Sequence, residues 1–284
     1  MVDIDEIPEP ERGVSRRSFV KGAMLVTAGV AAAGTVGAVV NSSFITKQTP
    51  SKKVNYIGST LVSGPAPQGI PILPLKLENG IVMGDPAWAP PGGKVSDPTF
   101  TSVLEWYKFC GRAARPGYRP DYNDSTANKL QYFVLPEKLA SAAAGGIGLW
   151  FESLIGNDVR PEDFREVGYG AGVSWRSQGQ SGLNIITAMV IRQNKKAFSY
   201  NAAAWPGGAD DFRRAVDSTI VDLGDGTALV AYISTCKHFC CTPGWRESPL
   251  AQTQGFWSKM FCTCHFSVYD PVQFKADFFI AEEA

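Results

Sequence analysis

Two short segments near the end of the chain hold nearly all of its soft metal ligands. Residues 236–243 read CKHFCCTP and residues 262–269 read CTCHFSVY, which gives the half-motifs C-x-H-x-x-C and C-x-C-H. Together the segments contain five of the six cysteines and both histidines of the 284-residue chain. Each half-motif offers one thiolate, one imidazole and a spare cysteine, so two thiolates and two imidazoles can converge on one metal centre.

Two thiolates and two imidazoles are the ligand set of a Rieske [2Fe–2S] centre, in which two histidines replace two cysteines on one iron. A structural zinc site can use the same residue types, but its halves usually show C-x₂₋₄-C and H-x₃₋₅-H spacing. A scaffold of disulfides alone would leave both histidines without a role. The spacing therefore favours the iron–sulfur interpretation, and zinc remains the alternative.

On these motifs the chain resembles the Rieske iron–sulfur proteins, in particular the membrane-anchored subunits of prokaryotic cytochrome bc-type quinol oxidoreductases. The resemblance implies one [2Fe–2S] cluster with Cys236 and Cys262 on one iron and with His238 and His265 on the other, reducible iron. The two histidines would be the catalytic residues. In the family the ligand of the second segment meets quinol, and this position corresponds to His265.

The resemblance also assigns roles to residues beside the ligands. Cys241 and Cys264 match the pair that forms a disulfide between the two cluster-binding loops in that family. Ser267 and Tyr269 match hydroxyl donors to cluster sulfurs in members of high potential. Such donors stabilise the reduced, more negative cluster, so we expect them to raise its reduction potential.

Two positions depart from the family pattern. Cys240 stands where the family usually has glycine, and Phe266 replaces the glycine after the last ligand. Either position can require a positive φ, which costs more when a side chain is present. We expect Cys240 to be a free thiol, together with Cys110, the remaining cysteine of the chain. The loop at residues 242–261 is also longer than is usual in the family.

The function that the resemblance implies is electron transfer from quinol to a cytochrome in a respiratory membrane complex. The expected partners are quinol, a cytochrome b-type membrane subunit and a cytochrome or copper electron acceptor. An alternative is the Rieske subunit of a periplasmic molybdenum oxidase. A terminal Rieske oxygenase is excluded because its mononuclear iron needs two further histidines, and the chain has only two.

Composition limits other classes of function. The formal net charge is zero, with 27 basic and 27 acidic residues, so nothing in the charge predicts nucleic-acid binding. Hydrophobic residues make up 44% of the chain, enough for a packed core. A structural disulfide would indicate an oxidising, extracytoplasmic compartment.

The N-terminal region predicts export and membrane anchoring. Residues 15–21 read SRRSFVK, a close match to the twin-arginine export signal, and residues 22–46 carry no charge. As a helix this segment would be roughly 37 Å long, enough to cross about 30 Å of hydrocarbon. We expect residues 1–21 to form a cytoplasmic tail and residues 22–46 an uncleaved transmembrane anchor, with a cleaved signal as the alternative.

The expected fold is mainly antiparallel β with inserted helices, a Rieske-like domain on one N-terminal transmembrane helix. After a linker at residues 47–53, the domain spans residues 54–284, with a large insertion at about 85–215 and a cluster-binding subdomain at about 234–272. The sequence GPAP at residues 64–67 resembles a loop that lies near the cluster in the family, but there it follows the second ligand segment. We interpret it here as a coincidental turn.

Local patterns predict the individual elements. Strands are expected at residues 54–62, 72–77, 81–83, 131–135, 184–192, 219–223 and 227–234. Helices are expected at residues 97–109, 136–144 and 210–216.

Overall fold

The computed structural model describes residues 51–91, 128–133, 149–175, 186–245, 253 and 255–282. The chain divides into two units, Met1–Thr49 and Pro50–Ala284, and every described residue belongs to the second. The export motif and the expected anchor at residues 22–46 therefore lie outside the described residues. Within the part that is described, no helix is long and apolar enough to cross a membrane.

The described part is mainly antiparallel β structure. In chain order its strands and its complete α-helix are β1 (Ser51–Ser63), β2 (Leu75–Glu78), β3 (Ile81–Gly84), β4 (Gln131–Tyr132), β5 (Gly170–Trp175), β6 (Ile186–Asn194), β7 (Ser199–Asn201), α1 (Gly208–Asp217), β8 (Val221–Asp222), β9 (Thr227–Ile233), β10 (Gly244–Trp245), β11 (Met260–Cys262) and β12 (Ser267–Glu282).

The first sheet has the order β1-β12-β11-β10, and the short strand β7 adds to β12 in parallel. Its centre is the long antiparallel pair of β1 and β12. The register shifts where Ser59 pairs with Phe274 but Thr60 pairs with Asp270, so residues 271–273 form a bulge. Pro271 occupies this bulge, where its missing N–H costs no ladder hydrogen bond.

The second sheet has the order β4-β5-β6-β9-β8 and is antiparallel throughout. Its strand β9 reads TALVAYI, and all seven residues are buried. Four of them are Thr, Val, Tyr or Ile, types that suit strands. Strands β4, β5 and β6 fall within residues 85–215, so the region expected as an insertion supplies most of this sheet. The strand that leads into the first ligand segment pairs directly with β6.

The segment at residues 70–73 connects the two sheets. Pro71 bridges to Gly58 on β1, and Ile72 bridges to Tyr232 on β9. Ile70, Ile72 and Leu73 are fully buried in a core cluster that also contains side chains from both sheets. The ligand-bearing strands β9, β11 and β12 are therefore held by one continuous core.

Several expected elements are found close to their predicted positions. The hairpin of β2 and β3 turns at Asn79 and Gly80, whose φ angles of 52° and 74° suit a type I′ turn. Helix α1 buries Phe212, Ala215 and Val216, the i, i+3, i+4 spacing of one helix face. The strands predicted at 54–62, 81–83, 184–192 and 227–234 correspond to β1, β3, β6 and β9.

Other expectations differ or fall elsewhere. The predicted strand at 72–77 begins only at Leu75, and the strand predicted at 219–223 is reduced to β8. The helices expected at residues 97–109 and 136–144 lie outside the described residues. Strand β12 was not predicted beyond the ligand segment, because Asp270 and Pro271 interrupt its pattern.

Candidate metal centre

The first ligand segment forms the loop between β9 and β10. The N–H of Cys236 donates to the carbonyl oxygen of Cys241 at 2.8 Å, and the N–H of Cys240 donates to the carbonyl of Cys236 at 2.9 Å. Cys240 has a φ of 56°, in the left-handed region. These bonds fold residues 236–241 into a closed turn, which we call the first ligand loop.

The second ligand segment forms the turn between β11 and β12, which we call the second ligand loop (residues 262–267). Cys262 and Ser267 face each other in the ladder. The N–H of Phe266 donates to the carbonyl of Cys262 at 2.9 Å, and Phe266 has a φ of 61°. Each loop thus closes four residues after its first cysteine on a left-handed residue. The positive φ expected at Cys240 and Phe266 is confirmed.

A disulfide joins the two ligand loops. It links Cys241 to Cys264, with the Cα atoms 6.5 Å apart, and this confirms the predicted pair. Cys240 is disulfide-bonded as well, so the expectation that it is a free thiol was wrong. Vicinal cysteines look alike in sequence, and local spacing could not show that both are bonded. Cys110, also expected to be free, lies outside the described residues.

Neither Cys236 nor Cys262 is in a disulfide, and both are buried. Their side chains are hydrogen-bonded to each other. Because the hydrogen bond from Cys262 favours its thiolate, the pKa of Cys236 is lowered to about 5. The same bond, with burial, raises the pKa of Cys262 above its usual value. The opposite directions of the two pKa shifts show that the hydrogen bond favours the thiolate at Cys236 and the thiol at Cys262.

Tyr269 supports this thiol pair from β12. Its hydroxyl donates to Sγ of Cys236 at 2.9 Å, and the ring is fully buried. Burial is the main cause that raises the pKa of Tyr269, and the bond to Cys236 raises it further. The hydroxyl of Ser267 accepts the N–H of Ala66 at 3.2 Å and is also hydrogen-bonded to Tyr269.

The two histidines stand beside each other at the ends of the ligand loops. Their ring centroids are 4.5 Å apart, with the ring planes at 84°. Nδ1 of His238 is buried and has no hydrogen-bond partner, although buried polar atoms are normally paired. His265 is exposed. An unpaired nitrogen in this position is suited to binding a metal.

The sulfur atoms of Cys241, Cys262 and Cys264 lie within 4.8 Å of one another and form a possible metal-binding group by distance. Two of them are joined in the disulfide, however, and a disulfide sulfur is no thiolate ligand. The thiols of Cys236 and Cys262 are in no disulfide, so they and the imidazoles of His238 and His265 remain available as donors. That these four residues bind one metal centre, as the sequence predicted, stays a prediction.

The segment at residues 64–67 packs against the second ligand loop, which corrects our interpretation of it as a coincidental turn. Ala66 is buried, and its N–H donates to Ser267. Gly64 has a φ of 100°, and a Cβ added there would lie 2.5 Å from Cα of Ser267. We call residues 64–67 the covering loop. The contact arises because β1 runs antiparallel to β12 and ends opposite Val268.

Two contacts that sequence reasoning did not identify position the ligand loops. The ring of Trp245, just after the first loop, packs on Gly170 so closely that a Cβ there would lie 2.0 Å from it. Its indole N–H donates to the carbonyl of Gly168 at 2.9 Å. Beside the second loop, buried Asp270 forms an ion pair with Lys259. For the contact between Trp245 and Gly170, the sequence offers one signal, an isolated glycine within a strand pattern.

The exposed surface around the histidines is aromatic. Phe239 is 65% exposed, and its ring centroid lies 4.4 Å from that of His238 and 4.9 Å from that of His265. Phe266, the residue after His265, is 49% exposed. Exposed apolar groups that cluster in this way indicate a contact surface for another molecule.

Comparison of the chain with protein-family models, with curated proteins and with solved structures found no match.

Proposed function

We propose that the chain is an electron-transfer subunit that binds one Rieske-type [2Fe–2S] cluster. In this proposal it takes an electron and a proton from quinol and passes the electron to a cytochrome or copper acceptor. It works in a respiratory membrane complex beside a cytochrome b-type subunit. Residues 22–46 anchor it with the N-terminus in the cytoplasm and the β domain on the extracytoplasmic side.

The observation that carries the proposal is the separation of the donors into two chemical pairs. Two buried cysteine side chains are hydrogen-bonded to each other, and two imidazoles are in contact with each other, one with a buried Nδ1 that has no hydrogen-bond partner. A Rieske cluster requires such a division, because one iron takes both thiolates and the other both imidazoles. When bound, the cluster supplies a one-electron redox centre.

The other residues of the site have roles that follow from their contacts. The disulfide of Cys241 and Cys264 holds the two ligand loops together when the donors bind. It also supports an extracytoplasmic location, since such bonds are rare in the cytosol. Tyr269 places a hydrogen bond on the sulfur of Cys236 and stabilises added negative charge there. His265 is exposed and can exchange a proton with a bound substrate.

Two alternatives use the same donors. A zinc ion bound by two thiolates and two imidazoles would make the β domain a non-redox domain. A Rieske subunit of a molybdenum oxidase would bind the same cluster without a quinol partner. Retention of the mature protein in the membrane, together with haem-containing subunits, would favour the quinol oxidoreductase.

Metal and sulfide analysis of the purified full-length protein tests the proposal. We expect two irons and two acid-labile sulfides per chain, with the electron paramagnetic resonance signal of a mixed Cys/His cluster after reduction. His238→Ala and His265→Ala should each lose the signal, because the chain has no third histidine. Lys237 lies between two proposed ligands, so Lys237→Ala is the control for disturbance of the loop. This variant should keep the electron paramagnetic resonance signal. Stoichiometric zinc without labile sulfide would refute the proposal.

A further inference from the structure

A cavity of about 250 Å³ opens on the loop that precedes β5. Aromatic rings, two carboxylates and one guanidinium line it, supplied by Trp150, Tyr169, Glu162, Asp163 and Arg165. All of these residues belong to the described part of the chain, and none is a proposed ligand of the cluster. The cavity therefore needs its own account.

The aromatic wall of the cavity is fixed by its contacts with the domain. The ring centroid of Trp150 lies 5.0 Å from that of Tyr169 and 5.1 Å from that of Phe164. The indole N–H of Trp150 donates to the carbonyl oxygen of Gly170 at 2.9 Å. Trp150 and Tyr169 are both half-buried, so each keeps an exposed part. The face of a tryptophan attracts cations more strongly than that of any other side chain.

Two carboxylates lie beside this wall on the single turn Pro161–Asp163. The hydroxyl of Tyr132 donates to Oδ2 of Asp163 at 2.9 Å. Burial raises the pKa of Tyr132 and the bond to Asp163 raises it further, so the phenol keeps its proton and holds the carboxylate in place. Glu162 lies 3.8 Å from Arg160, and both side chains are exposed. Such a surface ion pair contributes little to stability, which leaves the Glu162 carboxylate available to a ligand.

Arg165 gives the cavity a positive charge beside these two negative ones. Its main chain is fixed, because Nη1 of Arg192 donates to the carbonyl oxygens of Phe164 and Arg165 at 2.6 and 3.0 Å. A guanidinium binds an anionic group through parallel hydrogen bonds. The lining thus offers a site for a cation and a site for an anion in one cavity.

We infer that this cavity binds a small zwitterion, with its ammonium group on Trp150 and the two carboxylates and its anionic group on Arg165. A simple cation would lie beside the like charge of Arg165, and a simple anion beside Glu162 and Asp163. The volume is below the 300–1,000 Å³ that is typical of pockets for drug-sized ligands, so the ligand is about the size of an amino acid or a betaine. A free betaine and the headgroup of a choline phospholipid share this chemistry.

Isothermal titration of the purified full-length protein tests the inference with four probes: glycine betaine, glycerophosphocholine, choline and acetate. We expect at least one of the two zwitterions to bind about tenfold more tightly than choline or acetate, because only a zwitterion meets both charged sites. Tighter binding of glycine betaine would indicate a free zwitterion, and tighter binding of glycerophosphocholine a lipid headgroup. Choline binding as tightly as both zwitterions, or no saturable heat with either, would overturn the inference.

Matched variants locate the site. Asp163→Asn keeps an acceptor oxygen for Tyr132 but removes the charge, and Arg165→Gln removes the anion site. Each should weaken binding of the preferred zwitterion by about tenfold. Glu166→Gln is the control, since Glu166 is exposed beside these residues but does not line the cavity.

Equal weakening in Asp163→Asn and Glu166→Gln would show a general effect of charge and refute the site. The thermal midpoint of each variant checks that the domain is folded. The titration does not depend on the cluster: zinc in place of iron would refute the proposed function and leave the binding of the zwitterion unchanged.

Discussion

The phenolic oxygen of Tyr269 lies 2.9 Å from Sγ of Cys236, and the hydroxyl donates to that sulfur. Both residues are buried, so water does not compete for the bond. Tyr269 reaches the sulfur because it follows the turn of the second ligand loop on β12, opposite Met260. The tyrosine that follows the second ligand loop thereby donates a hydrogen bond to a cysteine of the first.

We predict that Tyr269→Phe lowers the reduction potential and keeps the cluster. A hydrogen bond to a charged group contributes about 1.5–3 kcal/mol, and only the part that differs between oxidation states changes the potential. Since a tenfold change in a one-electron equilibrium corresponds to about 59 mV, the decrease should be some tens of millivolts. Redox titration followed by electron paramagnetic resonance measures it. An unchanged potential with an intact signal would reduce Tyr269 to a packing residue.

Ser267 should act on the potential through Tyr269. Its hydroxyl is hydrogen-bonded to the phenol, which in turn donates to Cys236. We predict that Ser267→Ala lowers the potential, but that the double variant Ser267→Ala/Tyr269→Phe has nearly the potential of Tyr269→Phe alone. Coupled residues are non-additive, whereas independent ones add. Full additivity in this double-mutant cycle would place the serine on a different sulfur, as the family resemblance implies.

The ligand loops could be predicted because their chemistry is local. The positive φ of Cys240 and Phe266 was expected at two positions within short motifs, and the disulfide of Cys241 with Cys264 was expected from the family that these motifs resemble. The position of the covering loop could not be predicted, because Ala66 is hydrogen-bonded to Ser267, which lies 201 positions further along the sequence. That contact depends on the pairing of β1 with β12, whose register is set by the whole sheet.

The same distinction explains the error at Cys240. A family pattern with one disulfide left two cysteines over, and a free thiol was the simplest expectation. The bonding of a cysteine depends on tertiary structure, and no local pattern encodes this. Trp245 is a similar case, since its place on Gly170 results from the approach of β10 to β5.

The covering loop yields a prediction about stability. Gly64→Ala should destabilise the domain and speed the loss of iron to a chelator, because its Cβ would lie 2.5 Å from Cα of Ser267 and its φ is 100°. Gly156→Ala is the matched control, with a φ of 87° and no atom within 4 Å of the added Cβ. A left-handed alanine costs about 1–2 kcal/mol, and overpacking adds about 1–3 kcal/mol. Chemical denaturation should therefore show a larger loss for Gly64→Ala, and equal losses would argue against a tight contact.

The exposed ring of Phe239 should serve the encounter with quinol or its protein pocket. We predict that Phe239→Ala slows quinol oxidation by about tenfold, which corresponds to roughly 1.4 kcal/mol of lost apolar contact. Phe239→Leu should restore most of the rate, because it keeps an apolar side chain. The reduction potential should stay within a few millivolts of the wild type in both variants.

Phe278→Ala is the control for this prediction. Phe278 is 40% exposed on the same strand as Tyr269, with Lys53 over its ring, but it lies nine residues further along β12. Because the bulge at residues 271–273 shortens this part of β12, their partners Leu61 and Asn55 are only six positions apart on β1. At about 3.3 Å per residue, Phe278 lies roughly 20 Å from Tyr269. Its loss should leave the rate of quinol oxidation unchanged, as measured by stopped-flow reduction in membranes. Equal slowing in Phe239→Ala and Phe278→Ala, or a shifted potential in Phe239→Ala, would show that the ring of Phe239 acts through stability or through the histidines and not as a contact surface.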